Sequence, residues 1–324
     1  MPACVLAQEE EPTFPLENFY VKRKKNARAI FKNFRFGLST GYGNTYFSHS
    51  LKDRFAIYQV KGRAPQIFDG VKGPAVRYSN WVNTATMDST SVLPGSFLVG
   101  SDTSKLGFKG RAFNIPLKAT IHYEFKRYRI GGGYSYEYMS MGSFYPTAFS
   151  DKVGSFKPSS PSGFMNKYFG SLGVSFYRLG YYLFIADVNI GGFKPGNNFN
   201  SSLIKKGIYF NLGVTAEREL SEYLRLFVRP SYDIKSYTLT LPGSGKTIQH
   251  NVNAFYINVG LTYTLPELPR CFHKDCRIQI NHAHGNKEYR SLVHPIYKRQ
   301  NPGYGENNPM LKYKGRNKNK MNPY

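Results

Sequence analysis

Between Asn253 and Leu265 apolar and polar positions alternate without a break. Phe255, Ile257, Val259, Leu261, Tyr263 and Leu265 share one parity, and Tyr256, Asn258, Gly260, Thr262 and Thr264 the other. A strand turns successive side chains to opposite faces, so the stretch predicts a strand with one apolar face and one small, polar face. It is long enough to cross a bilayer as a tilted strand, which takes about 9–11 residues. Seven further stretches carry the pattern: 34–47, 111–125, 128–142, 168–177, 182–193, 207–217 and 223–237. In 111–125, for example, Phe113, Ile115, Leu117, Ile121 and Phe125 oppose Asn114, Lys118, Thr120, His122 and Glu124. Pro230, inside 223–237, removes a ladder donor and predicts a bulge there.

The connections between these strands alternate in length. Those at 126–127, 178–181 and 218–222 are short; those at 48–104, 143–166, 194–206 and 238–252 are longer, and Phe55–Val60 could begin a hairpin in the first. This order predicts an all-β fold: an eight-stranded antiparallel transmembrane β-barrel with long extracellular loops, both termini periplasmic and a mostly irregular C-terminal tail. A water-soluble barrel would place apolar residues inside and charged ones outside. Here the charges share a face with Gly and Ser, and a water-facing coat of Phe, Tyr, Leu, Ile and Val would aggregate.

Composition sharpens the picture. With 26 Tyr, 25 Phe and 31 Gly against one Trp, the chain has the material for aromatic girdles and a small-residue lumen. It has no apolar run of about 18 residues, so a membrane-spanning helix is excluded. The formal net charge of +24 calls for an anionic partner. No zinc-finger, RNP-like or helix-turn-helix pattern accompanies it, so nucleic acid is the weaker choice. The expected partners are outer-membrane lipid and a periplasmic or envelope protein.

Four segments follow. Residues 1–7, MPACVLA, read as a signal-peptide remnant, with Val5 and Ala7 placed for cleavage before Gln8; acylation at Cys4 is the competing reading. Residues 8–32 read as a periplasmic N-terminal segment with one short helix, ending in the basic cluster Lys22, Arg23, Lys24, Lys25, Arg28 and Lys32. Residues 33–265 form the barrel and 266–324 a basic periplasmic tail with twelve Lys/Arg against four Asp/Glu.

Two groups carry candidate chemistry. The inward set Lys118, His122, Glu124, Arg129, Glu137, Asp187, Glu217, Arg225, Arg229, Asp233 and Lys235 mixes both signs. An eight-stranded barrel is just wide enough for side chains to fill, so these predict a paired network that plugs the lumen. His122 shares a face with Glu124, which could orient an imidazole, but no Ser nucleophile is placed by sequence, and the expected protein is not an enzyme. In the tail, Cys271 and Cys276 with His273, His282, His284 and His294 could hold a metal, yet neither Cys-x-His-x2-Cys nor His-x-His matches an established zinc module. In an oxidising compartment the simpler expectation is a Cys271–Cys276 disulfide, with no metal and no cofactor. His282, His284, Tyr289, Arg290, His294, Tyr297, Lys298 and Arg299, aromatics among basics, read as a segment that docks a partner.

The signal end LAQ, the first strand GLSTGYGNTYFSH and the last strand NAFYINVGLTYTL, followed by a tail, resemble the outer-membrane β-barrel proteins of Bacteroidota. The resemblance covers roughly 33–265, and INHAHGNKEYRSLVHPIYKRQNP in the tail has the look of a family motif. Several barrels of those bacteria serve the type IX secretion and gliding machinery. The resemblance therefore implies a secretion or envelope-assembly role: a non-enzymatic barrel anchoring a tail that docks an envelope partner. A small pore is the alternative, and a lipid-modifying enzyme a more distant one.

Overall fold

The computed structural model describes residues 27–51, short strands and scattered positions between 55 and 99, 106–292 apart from 159, 198, 222, 243–245, 279 and 286, and finally 314–315 and 318–321. The expected signal segment, Cys4 and most of the N-terminal basic cluster lie outside these residues. A one-turn helix, α1 (Ala27–Phe31), leads into β1 (Phe34–Ser50). Five short strands follow: β2 (Phe55–Tyr58), β3 (Gln66–Asp69), β4 (Ala75–Ser79), β5 (Thr86–Thr90) and β6 (Phe97–Val99). Then come β7 (Gly107–Phe125), β8 (Tyr128–Pro146), β9 (Ser162–Leu179) and β10 (Tyr182–Pro195). After β11 (Ile204–Lys206) run β12 (Tyr209–Glu219), β13 (Leu224–Ile234), β14 (Ser236–Thr240) and β15 (Thr247–Thr264). A hairpin of β16 (His282–His284) and β17 (Lys287–Tyr289) lies in the tail.

Eight strands hydrogen-bond as a ring in the order β1-β7-β8-β9-β10-β12-β13-β15, and the pairing of β1 with β15 closes it. Every neighbouring pair is antiparallel. Closure leaves no open edge for lipid to meet, which a bilayer requires. The outer face is apolar and exposed: Phe113, Leu117, Ile257 and Val259 are 40–53% accessible. Opposite them Arg225 and Arg229 are 1% and 8% accessible. Tyr and Phe gather at both rims of the apolar belt, with Phe125, Tyr128, Tyr177, Tyr182 and Tyr263 at the short-turn end and Tyr42, Tyr46, Tyr136 and Phe164 towards the long loops. Such girdles sit well at the two membrane interfaces. The molecule is an eight-stranded antiparallel transmembrane β-barrel of the outer-membrane type.

Several strands run further than their alternation predicts, mostly at the long-loop end. β7 starts at Gly107, β8 ends at Pro146, β9 starts at Ser162 and β15 at Thr247. Towards this end of the barrel the polarity inverts. Phe47, Phe108, Met139, Met141, Phe144, Phe193, Leu239, Ile248 and Val252 point inward into one buried apolar cluster. Lys109, Arg111 and Lys194 point out and are exposed. The wall above the belt is therefore built as for water. The first long connection holds more than a hairpin: β2–β6 form a five-stranded sheet in the order β5-β4-β3-β2-β6. Its Ile57 and Ile67, with Val82, join the same cluster, and the Tyr237 hydroxyl donates to the Val82 carbonyl at 2.6 Å.

Pro230 does not produce a bulge. The ladder between β12 and β13 lapses opposite Arg229 and Pro230, and the same register resumes beyond it. The proline omits its bond without adding a residue, because the gap leaves its missing N–H unpaired by any neighbour. Pro116 does the same to the β1–β7 ladder.

Candidate functional site

Alternation delivers the inward residues to a narrow lumen, where they sort into layers. Nearest the short turns, Glu124 accepts from Arg35 Nε and Arg225 Nη1, each at 2.8 Å. Glu217 accepts from Arg129 at 2.7 Å and from Arg225 at 3.2 Å. Glu219 accepts from Arg178 at 3.1 Å. At mid-height Asp187 takes Arg129 at 3.0 Å, Arg229 Nε at 2.6 Å and the Thr215 hydroxyl at 2.6 Å. Glycines make this possible: a Cβ at Gly173 would stand 2.8 Å from Arg129 Nε, and one at Gly213 2.6 Å from an Arg229 nitrogen. Higher still, Lys167 Nζ lies 2.7 Å from both Glu137 and Asp233. Asp233 also pairs with Lys235 at 3.4 Å and accepts from Asn211 at 2.6 Å. The Tyr256 hydroxyl donates to Glu137 at 2.6 Å while its ring faces Lys167 at 4.4 Å.

A charge taken out of water is tolerated only when paired and hydrogen-bonded, and nearly every expected member of the network meets that condition. Lys118 is the exception: among the described residues it has no carboxylate within 4 Å, and its ammonium lies 5.3 Å from the Tyr256 ring. His122 approaches Glu124 only to 3.7 Å, because Arg35 and Arg225 occupy the carboxylate. A cavity of about 60 Å³, bordered by Ser39, Lys118, His122, Arg129, Asp187 and Arg229, lies open at mid-height. That is space for a few waters, not for a solute path.

Sequence reasoning missed Arg35, Lys167, Arg178 and Glu219 as members. Arg35 shares the face of Gly37 and Ser39, so parity could have found it. Lys167, Arg178 and Glu219 lie outside the strand ends read from the apolar alternation.

The tail contains more structure than its composition suggests. Residues after Leu265 turn back beneath the short-turn end, where Lys32 pairs with Glu267 at 2.8 Å. Arg270 and Arg290 form a parallel bridge. The Arg290 guanidinium covers the Tyr223 ring at 4.0 Å, and Arg290 and Ser291 are buried. The end of the tail then enters the mouth of the barrel. Arg178 donates to the Lys320 carbonyl at 2.6 Å, Arg225 donates to the Met321 carbonyl, and Met321 N donates to the Lys126 carbonyl at 2.8 Å. The Met321 side chain is buried against Leu183 and Ile185.

Cys271 and Cys276, the expected disulfide pair, are free thiols in this structure. Each sulfur faces an imidazole instead, Cys271 Sγ 3.2 Å from His284 Nε2 and Cys276 Sγ 3.2 Å from His282 Nε2. Desolvation, with the neighbouring His273 and His282 rings, holds the His284 imidazole below its usual range, and desolvation pushes the Cys271 thiol up. His273 itself packs on Phe272, their rings 3.9 Å apart. Of the residues expected to meet a partner, His282, His284 and Arg290 are thus engaged within the chain. Tyr289 is half-buried beside Phe272. His294, Tyr297, Lys298 and Arg299 lie outside the described residues.

No protein-family model matches the chain, and no curated protein does either. Among solved structures it is similar to the outer membrane protease OmpT from Escherichia coli, at 11% identity over 72% of this chain and 96% of that one, with a TM-score of 0.29. It is similar also to the outer membrane protein AlkL in lipid bilayers, at 12% identity over 72% of this chain and 90% of that one, with a TM-score of 0.33. For the transport unit of the autotransporter AIDA-I from Escherichia coli the identity is 8% over 76% and 95%, with a TM-score of 0.26. Values this low carry no argument about activity, and the assignment of the barrel rests on its own ring and its own two faces.

Proposed function

We propose that this protein is a non-enzymatic, non-conducting outer-membrane barrel that anchors a basic periplasmic segment and offers it to an envelope partner. The observation that carries the reading is the filled lumen. All but one of the ionised side chains expected there are paired, the long-loop end is closed by apolar packing, and Met321 sits in the opposite mouth. A barrel so occupied has no through-path, which leaves its two ends to do the work. The short-turn end is read as periplasmic, since brief turns face that side in barrels of this type.

At that end the tail is held at two places, the 266–292 fold and the 318–321 seat. Between them residues 293–313 carry His294, Tyr297, Lys298, Arg299 and Lys312. A basic, aromatic stretch tethered on both sides suits an acidic protein face, because tethering cuts the ordering cost of binding. The partner is read as a secretion or envelope-assembly component.

Affinity isolation from envelopes in mild detergent tests the reading, comparing the full chain with one lacking 293–313. Capture of a stoichiometric envelope protein by the full chain alone supports it. Equal capture by both, or single-channel conductance of the purified protein in a planar bilayer, overturns it.

A further inference from the structure

Beneath the barrel four metal-binding side chains converge from two local elements. Cys271 and Cys276 bracket a tight turn in which Cys276 N donates to the His273 carbonyl at 3.3 Å. His282 and His284 occupy i and i+2 of β16, so both rings leave the same face of the hairpin. The turn after them is set by Gly285, whose φ of +60° suits glycine. Cys271 is brought alongside by its N–H bond to the Arg290 carbonyl at 2.8 Å. The two Nε2 atoms are 3.1 Å apart, each is 3.2 Å from one sulfur, and all four donor atoms lie within 4.8 Å of one another.

We propose that Cys271, Cys276, His282 and His284 bind a zinc ion that holds the 266–292 fold together. Zinc bonded to sulfur at about 2.3 Å and to nitrogen at about 2.0–2.1 Å in a tetrahedron sets N···N at about 3.3 Å and S···N at about 3.5 Å, close to the 3.1 and 3.2 Å found for three of the six pairs. Two thiolates neutralise the ion, and two imidazoles complete the borderline-soft set that zinc takes in closed, structural sites. The proton inventory agrees. His282 Nδ1 lies 3.0 Å from the Ile280 carbonyl and donates to it, so Nε2 presents a lone pair towards the other three donors. Metal-bound histidines are oriented in this way by a second hydrogen bond.

The fold also needs a staple. Phe272, Ile278 and Ile280 are 61%, 45% and 37% exposed, so apolar burial contributes little. Units below about 40 residues are seldom stable without a metal, a disulfide or a partner surface. The inference goes beyond the partner reading and does not depend on it.

The test uses the full-length protein, reduced and folded in detergent, with barrel closure checked by heat-modifiable mobility. Cobalt(II) should give a thiolate-to-metal charge-transfer band with tetrahedral ligand-field bands, displaced by zinc, and about one zinc per chain should survive gel filtration. Cys276→Ser and His284→Ala should each reduce retained zinc to background without altering closure, whereas His273→Ala should retain it. Chelation should open 266–292 to trypsin while the barrel stays intact. A Cys271–Cys276 disulfide in protein taken directly from envelopes, a cobalt spectrum without the thiolate band, or loss of zinc from His273→Ala equal to that from His284→Ala would each overturn the assignment.

Discussion

The same strands enclose two interiors of opposite character. At the level of Leu117 and Val259 the inside holds Arg129, Asp187 and Arg229 and the outside is oil-like. A few residues further along β1, β7 and β15, the inside holds Phe47, Phe108 and Val252. The ladders of β1 with β7 and with β15 keep one register through the change, so along those strands a slip in pairing is not its cause; between β7 and β8 the register shifts by one at Gly110–Ala112. What differs is the medium outside the wall: lipid in one case, water in the other. A strand bordering lipid gains by turning apolar groups out, and the inward half is then free to be ionic provided every charge finds a partner. Where water resumes outside, ordinary apolar burial takes over.

The sharpest way to break the comparison is to unbalance the ionic interior. Asp233→Ala takes the carboxylate from Lys235 and leaves Lys167 with Glu137 alone in a sealed space, and is expected to cost about 3–5 kcal/mol, read as a lower urea midpoint in lipid vesicles or as failure to insert. In the apolar interior, Phe108→Ala removes a fully buried ring and should cost about 3–4 kcal/mol through lost burial and cavity formation. This loss should be nearly independent of salt and lipid, unlike the first. On the outer face, Leu117→Lys should cost about 2–4 kcal/mol near the bilayer midplane, whereas Lys109→Leu, above the belt, should change unfolding by less than about 0.5 kcal/mol. A local effect is expected at the tail. Arg290→Ala loses the face of Tyr223, about 1–2 kcal/mol for a desolvated cation–π contact. It should appear as faster hydrogen exchange in β16 and β17 with the barrel unaffected.

Much of the barrel was legible in the sequence because a lipid-facing strand advertises itself by alternation. The inward positions of Lys118, Glu124, Asp187 and Arg225 followed from parity alone. The extensions were not legible for the same reason. Once Phe108, Phe144 and Ile248 turn inward, the rule that apolar means outward gives the wrong face, and strands appear to stop early. The partners within the lumen could not be read either, since Arg129 meets Glu217 across the barrel and not along it. In the tail, the two cysteines and two histidines were visible as residue types, but their convergence depends on Gly285 and on the bridge between Arg270 and Arg290, twenty positions apart. Spacing alone favoured a disulfide and could not show two imidazoles facing the sulfurs.

The seat of Met321 fixes an order of events in assembly. Its backbone is gripped by Lys126, which turns β7 into β8, and by Arg225 on β13, while its side chain needs Leu183 and Ile185 from β10. These groups belong to three separate parts of the ring, so the seat exists only where β7–β8, β10 and β13 stand together. Burial of that methionine is therefore a built-in report on the wall: shielding of its thioether from peroxide should not precede docking of those strands in a refolding time course.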